Sequence, residues 1–438
     1  MPSDTQDYVK WFRHSSPYIN KHRGKTFVLM LPGEALTHDN FSNIIHDITL
    51  LNSLGVRLVL VHGARPQIDA RLQIAGVQSE FHNNFRVTDS ANLSCVIQAI
   101  GEARITVEAA LSTGLPNSPM HGAHMQVLSG NFVVGMPYGV IDGVDLQHTG
   151  KVRKVNTKSL QTALDSGAIA LLSPLGYSPT GEVFNLSFSD VATHVATAVK
   201  ADKLIAFVDA NGISESNGDF LRQLSLQECK NFLETEGERI SPDLRQALNA
   251  CYLTCLQGVA RAQLVSYATD GALLTELFTL DGLGTMIYSG QYEQLRAATI
   301  DDVGGIIELI APLENEGILV RRSREVLEME ISKFHVMEKD GTIIACAALY
   351  PYDDMAELAC VVTHPDYRKG GRAATLLQQM ENVARKKDVK QLFILTTQTA
   401  HWFIEQGFAP GNLGDLPMSR QSLYNYQRKS KIFVKKLA

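Results

Sequence analysis

The chain opens with short apolar runs that end on glycine and are separated by amphipathic stretches. The run 26–31 stops at Pro32-Gly33, the run 56–61 closes on His62-Gly63, and a helical pattern lies between them. Short apolar runs bounded by glycine turns are typical of buried strands, and a strand–helix–strand order makes the two strands parallel. The pattern therefore predicts a parallel α/β sheet.

The same pattern returns further along the chain. Apolar runs at 169–172 and 203–208 flank a helical pattern at 190–201, which predicts a doubly wound α/β sandwich. Residues 123–143 alternate apolar and small side chains, which predicts a β-meander inserted at the edge of the sheet. A mixed aromatic and basic stretch predicts a helix in the first 24 residues.

A second unit begins after a polar, glycine-containing stretch that we assign as a linker, 288–294. From Leu295 a strand is followed by a helix for which Thr299 is the predicted N-cap. A Lys-Asp-Gly turn at 339–341 predicts an antiparallel hairpin. Further strands are expected at 357–362, 392–395 and 431–435.

The composition excludes some classes of partner but does not identify a function. The 438 residues correspond to about three average domains. Forty basic against 46 acidic residues leave a net charge of -6, which argues against a nucleic acid or an anionic membrane as partner. The polar N-terminus has no signal pattern and no run is long enough to span a membrane, so we expect a cytoplasmic chain. The 6 cysteines include no C-x-x-C pair, and no metal site is expected.

The clearest candidate binding segment follows the predicted strand at 357–362. It is a turn that combines glycines with basic side chains and leads into a helical pattern. Glycines let backbone N–H groups approach a diphosphate, and a helix N-terminus adds partial positive charge. A basic turn that only caps a helix is the alternative, and the flanking strand and helix favour the phosphate site. Its residues are Arg368, Lys369, Gly370, Gly371, Arg372 and Ala373.

The spacing Arg368-x-x-Gly371-x-Ala373 resembles the pyrophosphate loop of the GNAT acetyltransferases. Residues 295–299 and 402–408 are similar to the first strand and a late segment of that family. The resemblance covers residues 295–438 and implies an α+β GNAT domain with acetyl-CoA as co-substrate. It also implies that the strand at Cys360, Val361 and Val362 binds the cofactor.

Residues 25–287 resemble the amino-acid kinase family, which implies a three-layer αβα sandwich. The similarity is carried by the segments 61–68, 85–89, 145–152, 201–205 and 273–285. Phosphoryl transfer needs cations on the transferred group. The family's lysine before the first glycine pair is missing here, its acidic position falls on Ser189 or shifts to Asp190, and its second lysine segment is replaced by 243–249. We therefore expect a kinase fold that is catalytically inactive and regulatory.

The fused layout resembles the bacterial N-acetylglutamate synthase family over the full length. This resemblance implies acetyl transfer from acetyl-CoA to the α-amine of L-glutamate, the first step of arginine biosynthesis. Glu357 is the expected base, because an α-ammonium must lose a proton before it can attack. A backbone N–H at 360–362 is the expected oxyanion donor. The family's usual acid, a tyrosine, is replaced by Phe403, so Thr396 is the preferred substitute.

Substrate and effector contacts are also implied by the resemblance. Two carboxylates suit arginine forks, and the segments that match those lining the amino-acid pocket contain Arg322, Arg428 and Ser430. The end product L-arginine is expected to inhibit from a site in the kinase-like unit. The expected contacts of that site are Tyr18, Glu276, Gly284 and Thr285. The family further implies a hexamer or tetramer built by the kinase-like units.

Three alternative functions remain open on the sequence. One is an arginine-responsive regulator whose GNAT unit binds CoA without turnover. Another is an active acetylglutamate kinase with an accessory GNAT unit, which the missing lysines argue against. The third is acetylation of a different amine, such as a protein lysine, which the paired arginines argue against.

Overall fold

The computed structural model describes residues 2–83, 85–114, 120–122, 125–279, 282–290, 293–339, 341–368, 371–422, 424 and 430–437. Within these ranges, side chains are described for all but residues 2–8, 10, 11, 14 and 366. Two compact units are present, Met1–Gly290 and Gln291–Ala438, and the boundary in sequence falls within the stretch assigned as a linker.

The first unit is built on a parallel sheet whose strand order is β16-β18-β17-β13-β1-β2-β10-β5, with only the β17–β18 pair antiparallel. A four-stranded sheet, β12-β11-β6-β9, lies beside it. The strands are β1 (Thr26–Leu31), β2 (Arg57–His62), β3 (Glu80–His82), β4 (Phe85–Val87), β5 (Val127–Ser129), β6 (Val133–Pro137), β7 (Val140–Ile141), β8 (Val144–Asp145), β9 (Gly150–Val155), β10 (Ile169–Leu172), β11 (Leu175–Tyr177), β12 (Val183–Asn185), β13 (Lys203–Val208), β14 (Ile213–Ser214), β15 (Phe220–Leu221), β16 (Gln223–Ser225), β17 (Arg261–Ser266) and β18 (Thr285–Tyr288).

Helices cover both faces of the main sheet. They are α1 (Pro2–His22), α2 (Phe41–Ser53), α3 (Arg65–Ala75), α4 (Ser90–Leu111), α5 (Thr157–Asp165), α6 (Phe188–Ala198), α7 (Leu226–Thr235), α8 (Pro242–Leu256) and α9 (Ala272–Phe278). Strand β1 is buried along its whole length and sends alternate side chains to two separate cores. Val28 and Met30 belong to one core, and Phe27 and Leu29 to the other. Because each face of the sheet has its own core, the unit is the expected three-layer αβα sandwich.

The predicted single meander at 123–143 is wrong in form. Strand β5 adds to the edge of the main sheet beside β10, whereas β6 joins the separate four-stranded sheet and β7 pairs with β8. Alternating apolar and small side chains mark strands, but they do not specify which sheet a strand joins, because that depends on pairing partners far away in sequence.

The N-terminal helix is attached to the sandwich at its C-terminal end. The imidazole of His22 is 2.8 Å from the carbonyl oxygen of Leu277 in α9. Its ring packs edge-on against Phe27 and Phe278, with centroid distances of 5.3 and 5.7 Å. The last turn of α1 therefore lies against both β1 and α9.

The second unit is a seven-stranded sheet of order β19-β20-β21-β22-β23-β25-β24, in which only the β22–β23 pair is parallel. Its strands are β19 (Glu293–Ala297), β20 (Phe334–Lys339), β21 (Thr342–Tyr352), β22 (Met355–Thr363), β23 (Gln391–Thr396), β24 (Ala409–Gly411) and β25 (Lys431–Lys436). Its helices are α10 (Val303–Asn315), α11 (Arg324–Glu330), α12 (Arg372–Arg385), α13 (Ala400–Glu405) and α14 (Met418–Gln421).

A partly buried ion-pair cluster fixes the first strand of this sheet. Arg296 donates to both carboxylate oxygens of Asp302, at 2.7 and 2.8 Å, and to Glu338 at 2.7 Å. The hydrogen bonds from Arg296 lower the pKa of Asp302 to about 2. Thr299 and Asp302 also form a reciprocal capping box, as the predicted N-cap at Thr299 requires.

In the described part of the chain, none of the helices combines the length and the apolar character needed to cross a bilayer.

Candidate active site

The central feature of the second unit is a gap between two neighbouring parallel strands. β22 pairs with β23 only from Met355 to Glu357, opposite Gln391 to Phe393. Beyond that point β22 runs on to Thr363 without a ladder to β23, while β23 pairs with β25 on its other side. The edge of β22 from 358 onward therefore offers backbone N–H and C=O groups to a ligand that lies between the strands.

A bulge in β22 shapes one wall of this gap. The pairing with β21 shifts between Cys346, which faces Val362, and Ala348, which faces Ala359. Cys360 lies inside the shift and has a φ of 50°, a left-handed conformation that is uncommon for a residue other than glycine. Such strain is typical of functional sites. The bulge also changes the direction in which the backbone amides of 360–362, the segment predicted to bind the cofactor, point.

The predicted phosphate loop begins α12. Gly371 is the N-cap of this helix with a φ of 69°, and it provides no side chain that could cap the first turn. Arg372 and Ala373 are the first two residues of the helix, so the N–H groups of the first turn are available to an anion. Lys369 and Gly370 lie outside the described residues.

The two arginines of the loop differ in their surroundings. Arg368 is exposed after β22. Arg372 forms a forked ion pair with Glu293 in β19, with nitrogen–oxygen distances of 2.6 to 2.9 Å. Because this guanidinium is paired with Glu293, the Arg372 side chain holds β19 and α12 together. The backbone N–H of Arg372, in the first turn of α12, is the group that remains to bind an anion.

Glu357, the expected base, is the last residue of β22 that pairs with β23. Its side chain is 11% exposed and forms a bidentate ion pair with Arg420 of α14, which is 19% exposed. The Nε and Nη2 atoms of Arg420 are 2.5 and 3.1 Å from the two carboxylate oxygens. Hydrogen bonding to Glu357 raises the pKa of Arg420. The sequence analysis missed Arg420, because nothing in the spacing of residues 63 apart indicates this contact.

A second polar group lies on the same face of the sheet. Tyr350 is directly opposite Glu357 in the β21–β22 register, so the two side chains point to one side. The Tyr350 hydroxyl donates to Glu330 at 2.7 Å, and the Lys333 ammonium is 3.0 Å from that carboxylate. Burial and the bond to Glu330 raise the pKa of Tyr350 above its usual range.

Arg322, the expected substrate ligand, is half-buried beside this group. Its backbone N–H donates to Glu314 at 3.1 Å, and its guanidinium donates to the carbonyl of Val320 at 3.1 Å. Burial disfavours its charge, but Tyr350 and Cys360 lie close enough that the net shift of the Arg322 pKa is upward. The structure thus places both Arg322 and Glu357 beside Tyr350.

The expected acid, Thr396, occupies the end of β23. Its hydroxyl oxygen accepts hydrogen bonds from the N–H groups of Gln398 and Thr399, at 3.4 and 3.2 Å. These bonds close the turn into α13, which is a structural role. Phe403, where the family's usual tyrosine stands, is buried and packs against Trp402 and Phe408.

The last predicted substrate contacts fall near the C-terminus. Arg428 lies outside the described residues. Ser430 is half-buried, and its carbonyl oxygen accepts a hydrogen bond from the Tyr424 hydroxyl at 2.7 Å. Tyr424 packs beside Phe393, the partner of Glu357 in the ladder.

The first unit contains a cleft of about 990 Å³ at the carboxyl ends of its parallel strands, where a kinase would hold its substrates. Arginines line it, and no lysine is found among its described lining residues. Asp190, the shifted acidic position, is held within the fold by His194 at 3.0 Å and by the N–H of Val152 at 2.9 Å.

Glu276 in α9 is the centre of the predicted effector site. One carboxylate oxygen accepts from the backbone N–H groups of Leu283 and Gly284, both at 2.8 Å, and the other accepts from Gln263 at 2.9 Å. These donors are all neutral. The second polar atom of Gln263, Oε1, is buried and has no partner among the described residues.

The other predicted effector contacts already form hydrogen bonds or packing contacts within the first unit. The Thr285 hydroxyl donates to Leu221 at 2.7 Å and accepts from the N–H of Ile213 at 2.8 Å. Gly284 is required because a Cβ there would lie 2.0 Å from the carbonyl oxygen of Leu264. Tyr18 packs on the core that contains α9. From this set, Glu276 is the group left to hold a cation.

No group of three or more metal-ligating side chains is arranged to hold an ion among the residues that the structure describes. The two close cysteines of α8, Cys251 and Cys255, are buried. Burial raises the pKa of Cys255 to about 12, which makes it an inert core residue.

Family comparisons match each unit separately. Residues 25–266 match the amino acid kinase family, and residues 306–408 match the acetyltransferase (GNAT) family.

Curated relatives match over the full length. An amino-acid acetyltransferase of Azotobacter vinelandii is 56% identical, over 99% of this chain and 100% of the relative. An amino-acid acetyltransferase of Pseudomonas fluorescens is 54% identical, over 98% of this chain and 100% of the relative.

Solved structures agree. N-acetylglutamate synthase from Neisseria gonorrhoeae, complexed with coenzyme A and L-arginine, matches with a TM-score of 0.88 at 36% identity, over 98% of this chain and 99% of that one. The same enzyme complexed with coenzyme A and N-acetyl-glutamate matches with a TM-score of 0.62 at 37% identity and the same coverage.

Proposed function

We infer, from the premise that this chain belongs to the amino-acid acetyltransferase family and is an acyltransferase, that its acetyl donor is acetyl-CoA and its acceptor is the α-amine of L-glutamate. The observation that carries the proposal is the gap between β22 and β23, with Glu357 at the point where the strands part. The gonococcal relative solved with coenzyme A and N-acetyl-glutamate supports the same donor and acceptor.

Two parts of acetyl-CoA, the pantetheine arm and the diphosphate, match groups around the gap. The free edge of β22 at Cys360, Val361 and Val362 would pair with the amide groups of the pantetheine arm, as an added strand does. The N-terminus of α12 behind Gly371, with exposed Arg368, would hold the diphosphate. Bound acetyl-CoA supplies an activated thioester, and the chain's own groups orient it toward the acceptor.

Glu357 is proposed to take the proton from the acceptor's α-ammonium, directly or through a water. A backbone N–H of the 360–362 bulge would donate to the thioester oxygen as negative charge develops on it. A thiol with an ordinary pKa near 8.5 leaves readily as thiolate at neutral pH, so Thr396 is left to donate no more than a hydrogen bond.

The acceptor's carboxylates are proposed to bind the guanidinium groups of Arg322 and Arg428 and the hydroxyl of Ser430. Arg322 is half-buried beside Tyr350, which lies opposite Glu357 in the sheet. A forked guanidinium matches a carboxylate better than a single ammonium does. This arrangement favours an amino acid over a protein lysine, which has no free α-carboxylate.

Purified full-length protein should release CoA thiol from acetyl-CoA when L-glutamate is present. The kcat/KM for glutamate should exceed those for aspartate, glutamine and a lysine peptide by at least about tenfold, since each lacks a correctly placed carboxylate. If another amine is preferred, the glutamate assignment is wrong. If CoA binds but no acceptor gives turnover, the protein is a regulator and not a catalyst.

The kinase-like unit is proposed to bind arginine instead of transferring phosphate. No lysine is found among the described residues that line its cleft, and phosphoryl transfer depends on such cations. The carboxylate of Glu276 accepts only from neutral donors among the described residues, so a guanidinium would complete its partners. The gonococcal relative solved with L-arginine supports this effector. Inhibition by arginine fits a first step of arginine biosynthesis.

A cytoplasmic location is proposed from the chemistry of the donor and of the thiols. Acetyl-CoA is an intracellular metabolite, and all six cysteines are free and buried, as is usual in a reducing compartment.

We further propose that the kinase-like units associate into a hexamer or tetramer, and that α4 provides a two-fold contact. Gly101 lies near the middle of this helix, where glycine costs about 1 kcal/mol, and a Cβ there would meet open space within the chain. Ile97 and Ile105, four residues to either side, are 39% and 58% exposed. A two-fold axis at Gly101 would let two copies cross closely and pack Ile97 of one on Ile105 of the other.

Replacing Ile105 by Glu should shift the protein to a smaller assembly in sedimentation velocity, because each contact would then bury a charge against an apolar side chain. Ile74→Glu is the matched control, since Ile74 is 78% exposed on α3 and is not one of the residues that surround Gly101. An I105E protein that sediments like the unmodified chain would rule out this contact.

A further inference from the structure

A chain of polar contacts links the Tyr350 phenol to charged side chains of the second unit. The Tyr350 hydroxyl donates to Glu330 at 2.7 Å, and the Lys333 ammonium is 3.0 Å from that carboxylate. The same ammonium lies 4.6 Å from the centroid of the Tyr350 ring. A cation at the ring and a carboxylate at the hydroxyl together fix the orientation of the phenol.

The single proton of the phenol sets the direction of the hydrogen bonds in this chain. A tyrosine hydroxyl donates one hydrogen bond and accepts others. Because Tyr350 gives its proton to Glu330, its oxygen is left to accept from Arg322. Burial disfavours the charge of Arg322, but the neighbouring Cys360 and the hydrogen-bonded Tyr350 favour it, and the pKa of Arg322 is raised.

The Arg322 guanidinium has no carboxylate within ion-pair distance among the residues that the structure describes. Its Nη1 atom donates to the carbonyl oxygen of Val320 at 3.1 Å, and Glu314 accepts from the backbone N–H of Arg322, also at 3.1 Å. A guanidinium has five N–H donors, so several remain after these neutral partners are satisfied. A carboxylate of the acceptor would supply the opposite charge.

We propose that Tyr350 is a positioning residue for the acceptor, which holds the Arg322 guanidinium ready to bind a carboxylate of the incoming amino acid. The phenol and the carbonyl of Val320 each hold the guanidinium by a hydrogen bond, so its remaining N–H groups keep one direction before the acceptor arrives. Such preorganisation reduces the entropy lost on binding. This inference rests on the proposed function, because it takes Arg322 as a ligand of the acceptor.

The position of Tyr350 in the sheet agrees with this role. Tyr350 in β21 is directly opposite Glu357, the proposed base. Arg322 is also close to Cys360, in the bulge proposed to face the thioester oxygen. A carboxylate bound at Arg322 would therefore bring the acceptor near both the base and the donor. Tyr350 acts through Arg322, on binding of the acceptor and not on the chemical step.

Tyr350→Phe removes the hydroxyl and keeps the ring. KM for glutamate should rise by at least about tenfold, the usual effect of one hydrogen bond to a charged group, because Arg322 is no longer held. At saturating glutamate kcat should stay within about threefold, and KM for acetyl-CoA should not change. Tyr177→Phe is the matched control: it removes a hydroxyl from a side chain that is 38% exposed on β11, and it should change none of these constants.

A double-mutant cycle separates positioning from a structural role. If Tyr350 acts through Arg322, adding Y350F to an Arg322→Gln protein should change kcat/KM for glutamate by less than about twofold. An equal loss of kcat/KM with and without Arg322 would mean a structural role and would overturn the proposal. An unchanged KM for glutamate in Y350F would also overturn it, whether or not kcat falls.

If Y350F does not fold, Glu330→Ala tests the same chain from its other end. Without this acceptor the phenol proton is no longer held away from Arg322, so KM for glutamate should rise by at least about threefold, and the rise should vanish in the R322Q background. An unchanged KM in E330A overturns the proposal. Failure of the proposed function is distinct, since the unmodified protein would then not acetylate glutamate.

Discussion

Glu357→Gln is expected to lower kcat for glutamate acetylation by about 10²- to 10⁴-fold, the usual contribution of a positioned general base. Glutamine has the shape of glutamate, but its amide does not accept a proton at neutral pH. KM for acetyl-CoA should change little, because the proposed donor site is the β22 edge and the start of α12. Steady-state release of CoA thiol measures both constants.

The same substitution also removes the ion pair between Glu357 and Arg420, so some loss of stability is expected. Glu338→Gln is the matched control, because it weakens another ion pair of this unit, the one with Arg296 of β19. It should lower the melting temperature and keep kcat. An E357Q protein whose kcat stays within a few-fold of the unmodified value would show that Glu357 is not the base.

The fold was predictable wherever a local pattern carried the information. Buried runs that end on glycine marked the parallel strands of the first unit, and the Lys-Asp-Gly turn marked the β20–β21 hairpin. The strand edge at 360–362 and the glycine start of α12 were both placed by local sequence. In each case the sequence pattern lies within about ten residues of the element that it predicts.

What the sequence missed depends on contacts between distant positions. Arg420 meets Glu357 from 63 residues away, and Arg372 meets Glu293 from 79 residues away. The second contact turns a predicted phosphate ligand into a clamp on β19, whose first residue we had assigned to the linker. The bulge at Cys360 also had no sequence signal, because a cysteine with a positive φ gives none.

Two of the predicted site side chains also form hydrogen bonds within the fold. The hydroxyls of Thr396 and Thr285 are both engaged in hydrogen bonds to the backbone. A threonine at a strand end or beside a glycine is equally compatible with a ligand contact and with a turn. Only the partner of each hydroxyl separates the two roles, and the partner is a property of the tertiary structure.

Glu276→Gln is expected to make the enzyme about 10- to 150-fold less sensitive to L-arginine, the loss that follows from removing a hydrogen bond to a charged group of 1.5 to 3 kcal/mol. The amide keeps a carbonyl oxygen for the N–H groups of Leu283 and Gly284, so the loop should remain in place. Its neutral end no longer attracts a guanidinium. The arginine concentration that halves the acetylation rate is the quantity to compare.

The control for Glu276 is Glu80→Gln, which removes an exposed carboxylate from β3 of the same unit and should leave arginine sensitivity unchanged. Activity without arginine should be the same in both variants, because the proposed acetyl-transfer residues belong to the second unit. This separates a lost effector contact from general damage. Full arginine sensitivity in E276Q would place the effector elsewhere, whereas a loss confined to E276Q would assign it to the carboxylate of Glu276.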